Sequence, residues 1–239
     1  MKIRAPNLSL ALVALSFVCG NEAFAQCGEL TNSYGPYDYR TATSEERFLV
    51  EGAHFTPNVE RLIRGRSTIV PGPDIAYTLR AYPNHPRALH SMMNLSFNNK
   101  TDKPEGSTYT MECWFDRAER FVPDDGTVLM IHGIYILRKG DARGAVAKFK
   151  RAEELSGPSA NLHYNLGLAY LDLRDYDNAL DRARSAYRLG FPLPGLRNKL
   201  QEVGKWQPVE TPPAAVAPEK QEPGAKPGSE GPAAGRTGG

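Results

Sequence analysis

An all-α fold of stacked helical hairpins is predicted by three features of the stretch Asp125–Leu193. The first is self-similarity. Gly133 is matched by Gly167, Ala145 by Ala179 and Ala152 by Ala186, each pair 34 residues apart. A fixed period in that range is the mark of a repeat array, in which each unit buries its apolar face against its neighbours. The second is spacing. Leu162, Leu166, Ala169, Tyr170 and Leu173 recur at intervals of three and four, which places one apolar stripe on one helix face. The third is small residues at the seams. Gly167 and Ala169 on the first helix, and Ala179, Ala183 and Ala186 on the second, let two backbones approach closely.

The elements follow in order. Leu129, Gly133, Ile136 and Leu137 form the first helix of one unit, and Ala145, Phe149, Ala152 and Leu155 its partner, closed by Gly157-Pro158. The next unit repeats this from Asn161 to Leu189 and stops at Gly190, with Pro192 and Pro194 beyond. These residues resemble the tetratricopeptide (TPR) consensus at most of its positions. His132 stands where leucine is usual, and Ala183 where a bulky residue is usual. The resemblance implies a right-handed helical-hairpin solenoid of about three to four repeats, to which local composition adds an irregular N-terminal segment and a disordered C-terminal tail.

Two units alone would be marginal, so further repeats are expected upstream. Arg87–Phe97 and Thr110–Phe121 read as a third hairpin whose turn, Asn98–Ser107, is enlarged. A degenerate unit precedes it. Ser44–His54 is helical, with Thr43 and Glu46 as a capping box. Pro57–Gly65 reads as a second helix with Val59, Leu62 and Ile63 on one side; Pro71-Gly-Pro73 breaks the chain, and Asp74–Tyr82 resumes helix. Behind the array, Leu196, Leu200 and Val203 mark an amphipathic capping helix.

The domain plan is therefore a signal peptide over 1–25, an extended segment over 26–43, the array with its cap over 44–206, and a tail over 207–239. Lys2 and Arg4, the apolar Leu8–Val18 and the small-x-small Ala23-Phe-Ala25 make the first a secretory signal. Its apolar run is too short for a membrane span. The expected location is exported, periplasmic or extracellular. The tail is Pro, Ala, Gly, Glu and Lys with almost no apolar bulk, a composition that does not offset its ordering entropy. Tyr34, Tyr37 and Tyr39, around Gly35-Pro36, are expected to seal the open front of the array.

Cys27 and Cys113 survive cleavage of the signal. In an oxidising compartment such a pair predicts a disulfide; the alternative is two free thiols, with Cys113 a small core residue beside Trp114 and Phe115. Charge is near balance, 29 Lys and Arg against 27 Asp and Glu, which argues against electrostatic binding of nucleic acid. The five histidines lack metal-ligand spacing, and no nucleophile elbow, P-loop or dinucleotide fingerprint occurs. No catalytic residue, cofactor or metal is assigned. A distributed carboxylate pair involving Glu46, Glu51 or Asp74 would leave no local signature, so a cell-wall-acting enzyme is kept as a lesser alternative.

Resemblance to TPR proteins implies a concave groove lined by the first helix of each pair. Transferred to this chain, the groove positions are Thr127, Met130, Ile134, Leu137 and Arg138, then Asn161, Tyr164, Leu168, Leu171 and Asp172. Met130 and Ile134 stand where carboxylate-clamp relatives carry polar residues, so the groove suits an amphipathic helix or extended apolar peptide. The expected role is a protein–protein interaction module of the periplasm or cell envelope, with a protein or peptide partner. The alternative is a structural spacer that links envelope components through its tail.

Overall fold

The computed structural model describes residues 27–66 and 68–207. The expected signal peptide and nearly all of the expected tail lie outside the described residues. Ten α-helices and no strand are found among them. Helices α1 (Ser44–His54) and α3 (Gly72–Ala81) form the first hairpin, with the single turn α2 (Pro57–Glu60) between them. Helices α4 (Pro86–Asn99) and α5 (Met111–Phe121) form the second, α6 (Gly126–Arg138) and α7 (Ala142–Ser156) the third, α8 (Ala160–Asp172) and α9 (Tyr176–Arg188) the fourth. Helix α10 (Gly195–Glu202) closes the array. The arrangement is TPR-like, and Gly133 and Gly167 occupy the same turn of α6 and α8.

Local sequence explains where each helix begins. Asp141 and Asp175, again 34 apart, each accept the backbone N–H three residues on, from Gly144 and Asn178. Thr110, Asp125 and Ser159 cap α5, α6 and α8 in the same way. The capping box at Thr43 is present, with Glu46 accepting from the Thr43 N–H at 2.8 Å. Each satisfied N–H contributes about 1 kcal/mol to its helix.

Two apolar clusters run through the array and share Ile134 and Ile136 at their border. The front cluster holds the bulk: Trp114, Phe115, Met92, Met93, Leu89 and Tyr135 are all buried. At the back, Ala145, Ala152, Ala179, Ala183 and Ala186 are buried, as the small-residue seam required.

Two predicted elements differ. The helix expected over 57–65 ends at Glu60; Leu62 takes φ +60°, and Val59 is buried while Ile63 is exposed. The chain turns there to bring the Arg66 N–H to the carboxylate of Asp74, 2.7 Å away, which also holds His54 Nδ1 at 3.0 Å. The break at Pro71-Gly-Pro73 opens α3 two residues earlier than expected, because proline at 73 is accommodated in the first helical turn, where its missing N–H costs nothing. A Cβ on Gly72 would stand 1.9 Å from the Glu105 carbonyl oxygen. The enlarged turn itself is tied down by Trp114 Nε1, which donates to Ser107 Oγ at 2.9 Å.

Cys27 and Cys113 form a disulfide that fastens the N-terminal arm to α5. Beside it, Arg117 is 1 % exposed and its Nη1 donates to the carbonyls of Cys27, Gly28 and Glu29. Further along, Tyr34 and Tyr39 pack with Val50, Ala81 and Tyr82. Asn84 completes the attachment. Its amide oxygen accepts from Tyr39 N–H, and its Nδ2 donates to Asp38 and to Asp125 of the next loop.

Candidate functional site

Helices α4 and α6, the first helices of the second and third hairpins, line a depression of about 370 Å³ to which α8 adds Asn161. Its lining includes Glu60, Arg87, His90, Asn94, Thr127, Met130, Ile131, Ile134 and Asn161. Met130, Ile131 and Ile134 supply apolar surface; the others supply a polar rim.

Rim electrostatics follow from the partners. Arg87 pairs with Glu51 and Glu60, each at 2.9 Å, so its charge is already engaged by two carboxylates. Asn94 Oδ1 accepts from Arg138 Nη1 at 2.8 Å, and Asn94 Nδ2 then faces His90 Nδ1 at 3.2 Å. That order makes Nδ1 an acceptor and leaves the His90 Nε2–H as a donor toward the groove. Desolvation of the ring, with the Arg138 charge behind it, holds His90 below its ordinary value, in keeping with the neutral form.

Of the positions read from the sequence, Thr127, Met130, Ile134 and Asn161 come together in this depression. The other six do not line it. Leu137, Leu168 and Leu171 are half-buried against the back apolar cluster. Arg138 lies over the Phe97 ring at 3.8 Å, and Asp172 is exposed at the end of α8. Tyr164 is stacked on Phe191, ring centroids 4.0 Å apart, because the chain returning toward α10 crosses there. Arg87, His90 and Asn94 were missed. The signal was present: Pro86 opens α4 and Gly126 opens α6, 40 residues on, so the same offsets from Thr127, Met130 and Ile134 lead back to them. The enlarged turn, which helps stretch the period from 34 to 40 residues, hid that register. Glu60 had no such signal.

A second recurring constellation joins successive hairpins through their second helices. Glu119 on α5 accepts from Lys148 on α7 and contacts His132; Glu153 on α7 accepts from Arg182 on α9, with His163 beside them. Glu119 and Glu153 are 34 residues apart, as are Lys148 and Arg182. His132, in the usual leucine position, stacks flat on Phe115 at 4.4 Å. Burial opposes its charge, but Glu112 and Glu119 outweigh burial and raise its pKa. His163 moves the other way, through burial and then Arg182.

The three carboxylates weighed for chemistry are held apart by separate tasks. Glu46 closes the capping box, and Asp74 anchors His54 and Arg66. Glu51 accepts from His85, Tyr39 and Arg87, and the His85 hydrogen bond leads the effects that lower its carboxyl to about 2. No helix among the described residues is long and apolar enough to cross a membrane.

No family model matches the chain, and no curated protein matches it. Among solved structures, one titled MamA MSR-1 C2 is similar at 14 % identity, over 64 % of this chain and 80 % of that one, with a TM-score of 0.41.

Proposed function

We propose that this chain is an exported protein-interaction module of the periplasm or cell envelope, and that the groove between α4, α6 and α8 holds an amphipathic helix or an extended apolar peptide of a protein partner. The observation that carries this reading is an apolar floor of Met130, Ile131 and Ile134 within a rim of His90, Asn94, Thr127 and Asn161. Such a surface offers contact area to alternate apolar side chains and hydrogen bonds to a peptide backbone. Arg87, which lines the depression, is already paired with Glu51 and Glu60, which favours a neutral or apolar peptide over a terminal carboxylate. Export is supported by the signal-like stretch ending at Ala25 and by a disulfide that begins two residues later, at Cys27.

The test is affinity capture from the native envelope, followed by titration of the recovered partner. Met130→Glu and Ile134→Glu place unpaired carboxylates on the floor and are expected to weaken binding by about 100-fold or more, the scale of a central contact. Leu173→Glu, outside the depression, serves as the control. Undiminished recovery with Met130→Glu would show that the groove is not the binding surface.

A further inference from the structure

The polar groups that line the groove fall into two sets. Glu60 and Arg87 pair with each other, and Asn94 joins Arg138 to His90, so these are engaged. The Nε2 side of His90, the Thr127 hydroxyl and the Asn161 side-chain amide have no hydrogen-bond partner among the described residues. All three are uncharged or held neutral. A bound helix has its own backbone groups already paired, whereas an extended chain carries a free carbonyl and a free N–H at each residue. A hydroxyl and an amide can answer either of those groups. His90 is narrower, and it stands beside the apolar floor, because His90 and Asn94 occupy on α4 the offsets of Met130 and Ile134 on α6.

A relay sets the His90 ring. A guanidinium only donates, so Arg138 on α6 turns Asn94 Oδ1 toward itself and Asn94 Nδ2 toward His90. Nδ1 must then accept, and the ring proton sits on Nε2. A proton on Nδ1 would meet Asn94 Nδ2, donor against donor. Asn94 cannot turn over in response, because its Nδ2 would then meet Arg138 in the same way. Burial of the ring and the Arg138 charge oppose that proton as well. Of the other groups around the depression, Arg87 on α4 and Glu60 on α2 neutralise each other, and α8 contributes neutral Asn161. We infer that the groove takes a peptide in extended conformation and that His90 donates from Nε2 to one of its backbone carbonyls, with Asn94 and Arg138 as the positioning residues that hold the ring in that tautomer. The inference rests on the groove reading above, and within it excludes the helix.

The tautomer is read on the free protein. Long-range proton–nitrogen correlation spectra of the isotope-labelled chain at about pH 8 should show His90 Nδ1 unprotonated and Nε2 protonated. Asn94→Asp, whose carboxylate accepts from both sides, should move the proton to Nδ1. Arg138→Met should let both tautomers appear, and Arg138→Lys, which still donates, should keep the first. A parent ring protonated on Nδ1 overturns the relay, whatever the groove binds. Binding is read with two phage-displayed libraries, one of linear random peptides about twelve residues long, some 40 Å when extended, and one of the same length presented on a helix. Groove ligands, those lost with Met130→Glu, are expected from the linear library. The tightest is then made with each amide in turn replaced by an ester, which weakens one carbonyl acceptor. One ester should lower affinity about fivefold against the parent and less than about twofold against His90→Phe. Asn94→Asp should weaken the unmodified peptide about fivefold. Tighter groove ligands from the helical library overturn the extended peptide and leave the groove standing. Equal ester effects in the parent and in His90→Phe overturn His90 as the donor. No groove ligand from either library overturns the groove reading, and this inference with it.

Discussion

Leu196 and Ala183 are predicted to be energetically coupled, although they lie on different helices of different local sequence. In the third hairpin, a Cβ on Gly133 would stand 2.5 Å from the Phe149 ring, so the phenyl group fills the seam. The equivalent of Phe149 in the fourth hairpin is Ala183, which leaves that seam short of volume. Helix α10 supplies the missing volume. A Cβ on Gly167 would stand 2.4 Å from Leu196 Cδ2, and Leu196 is fully buried. Leu196→Ala should cost about 2–3 kcal/mol, the low end for such a change because the end of the array can relax. In a folded unit of this size that lowers Tm by about 5–10 °C. Ala183→Phe alone forces a ring into space held by Leu196 and should cost about 1–3 kcal/mol. Together the ring replaces the leucine, and the double variant should lie within about 1 kcal/mol of the parent, a coupling of about 2–3 kcal/mol. Urea and thermal unfolding followed by circular dichroism measure all four corners of the cycle. Penalties that simply add, within about 0.5 kcal/mol, would refute the account of α10 as a donor of core volume.

Three further outcomes are expected. Replacing Cys27 and Cys113 together by serine opens a loop spanning a sequence separation of 86 and should lower stability by about 4–5 kcal/mol in the chain-entropy model, read as a shift in the urea midpoint. Arg117→Lys offers one ammonium where a fork now reaches three carbonyls; it should cost about 2–3 kcal/mol and speed amide exchange over residues 28–31, and unchanged exchange would argue against Arg117 as the clamp. Acidification should destabilise the front of the array in two steps. Burial holds His85 below its ordinary value; its Nδ1 accepts from Ala88 N–H, so its Nε2–H donates to Glu51. The unfolded chain therefore takes up a proton near pH 6.5 that the folded chain refuses, and stability begins to fall there. Glu51, held at about 2 against an ordinary 4.5, contributes stability above 4.5 that is lost as pH falls toward 2. Melting midpoints from pH 8 to pH 3 should show both limbs, and Glu51→Gln should flatten the lower one.

The hairpin register, the caps and the small-residue seams were legible in the sequence because they are local or periodic. A glycine at a repeated offset, or a threonine three residues before a glutamate, needs no knowledge of the rest of the chain. Thr127, Met130, Ile134 and Asn161 came instead from the resemblance to TPR proteins, which carries groove positions over at fixed offsets in each repeat. What lay beyond the sequence depends on residues that meet only after the chain has folded. Leu196 over Gly167 explains why alanine suffices at 183, and Phe191 stacks on Tyr164, a residue that the resemblance had placed in the groove. Glu60 reaches the rim from a turn whose shape is set by Asp74, eight residues before which Arg66 gives up its N–H. Periodicity reports which way a side chain points along its own helix. Which of those faces is covered, and by what, is decided by contacts between segments far apart in sequence, and only the assembled tertiary structure contains them.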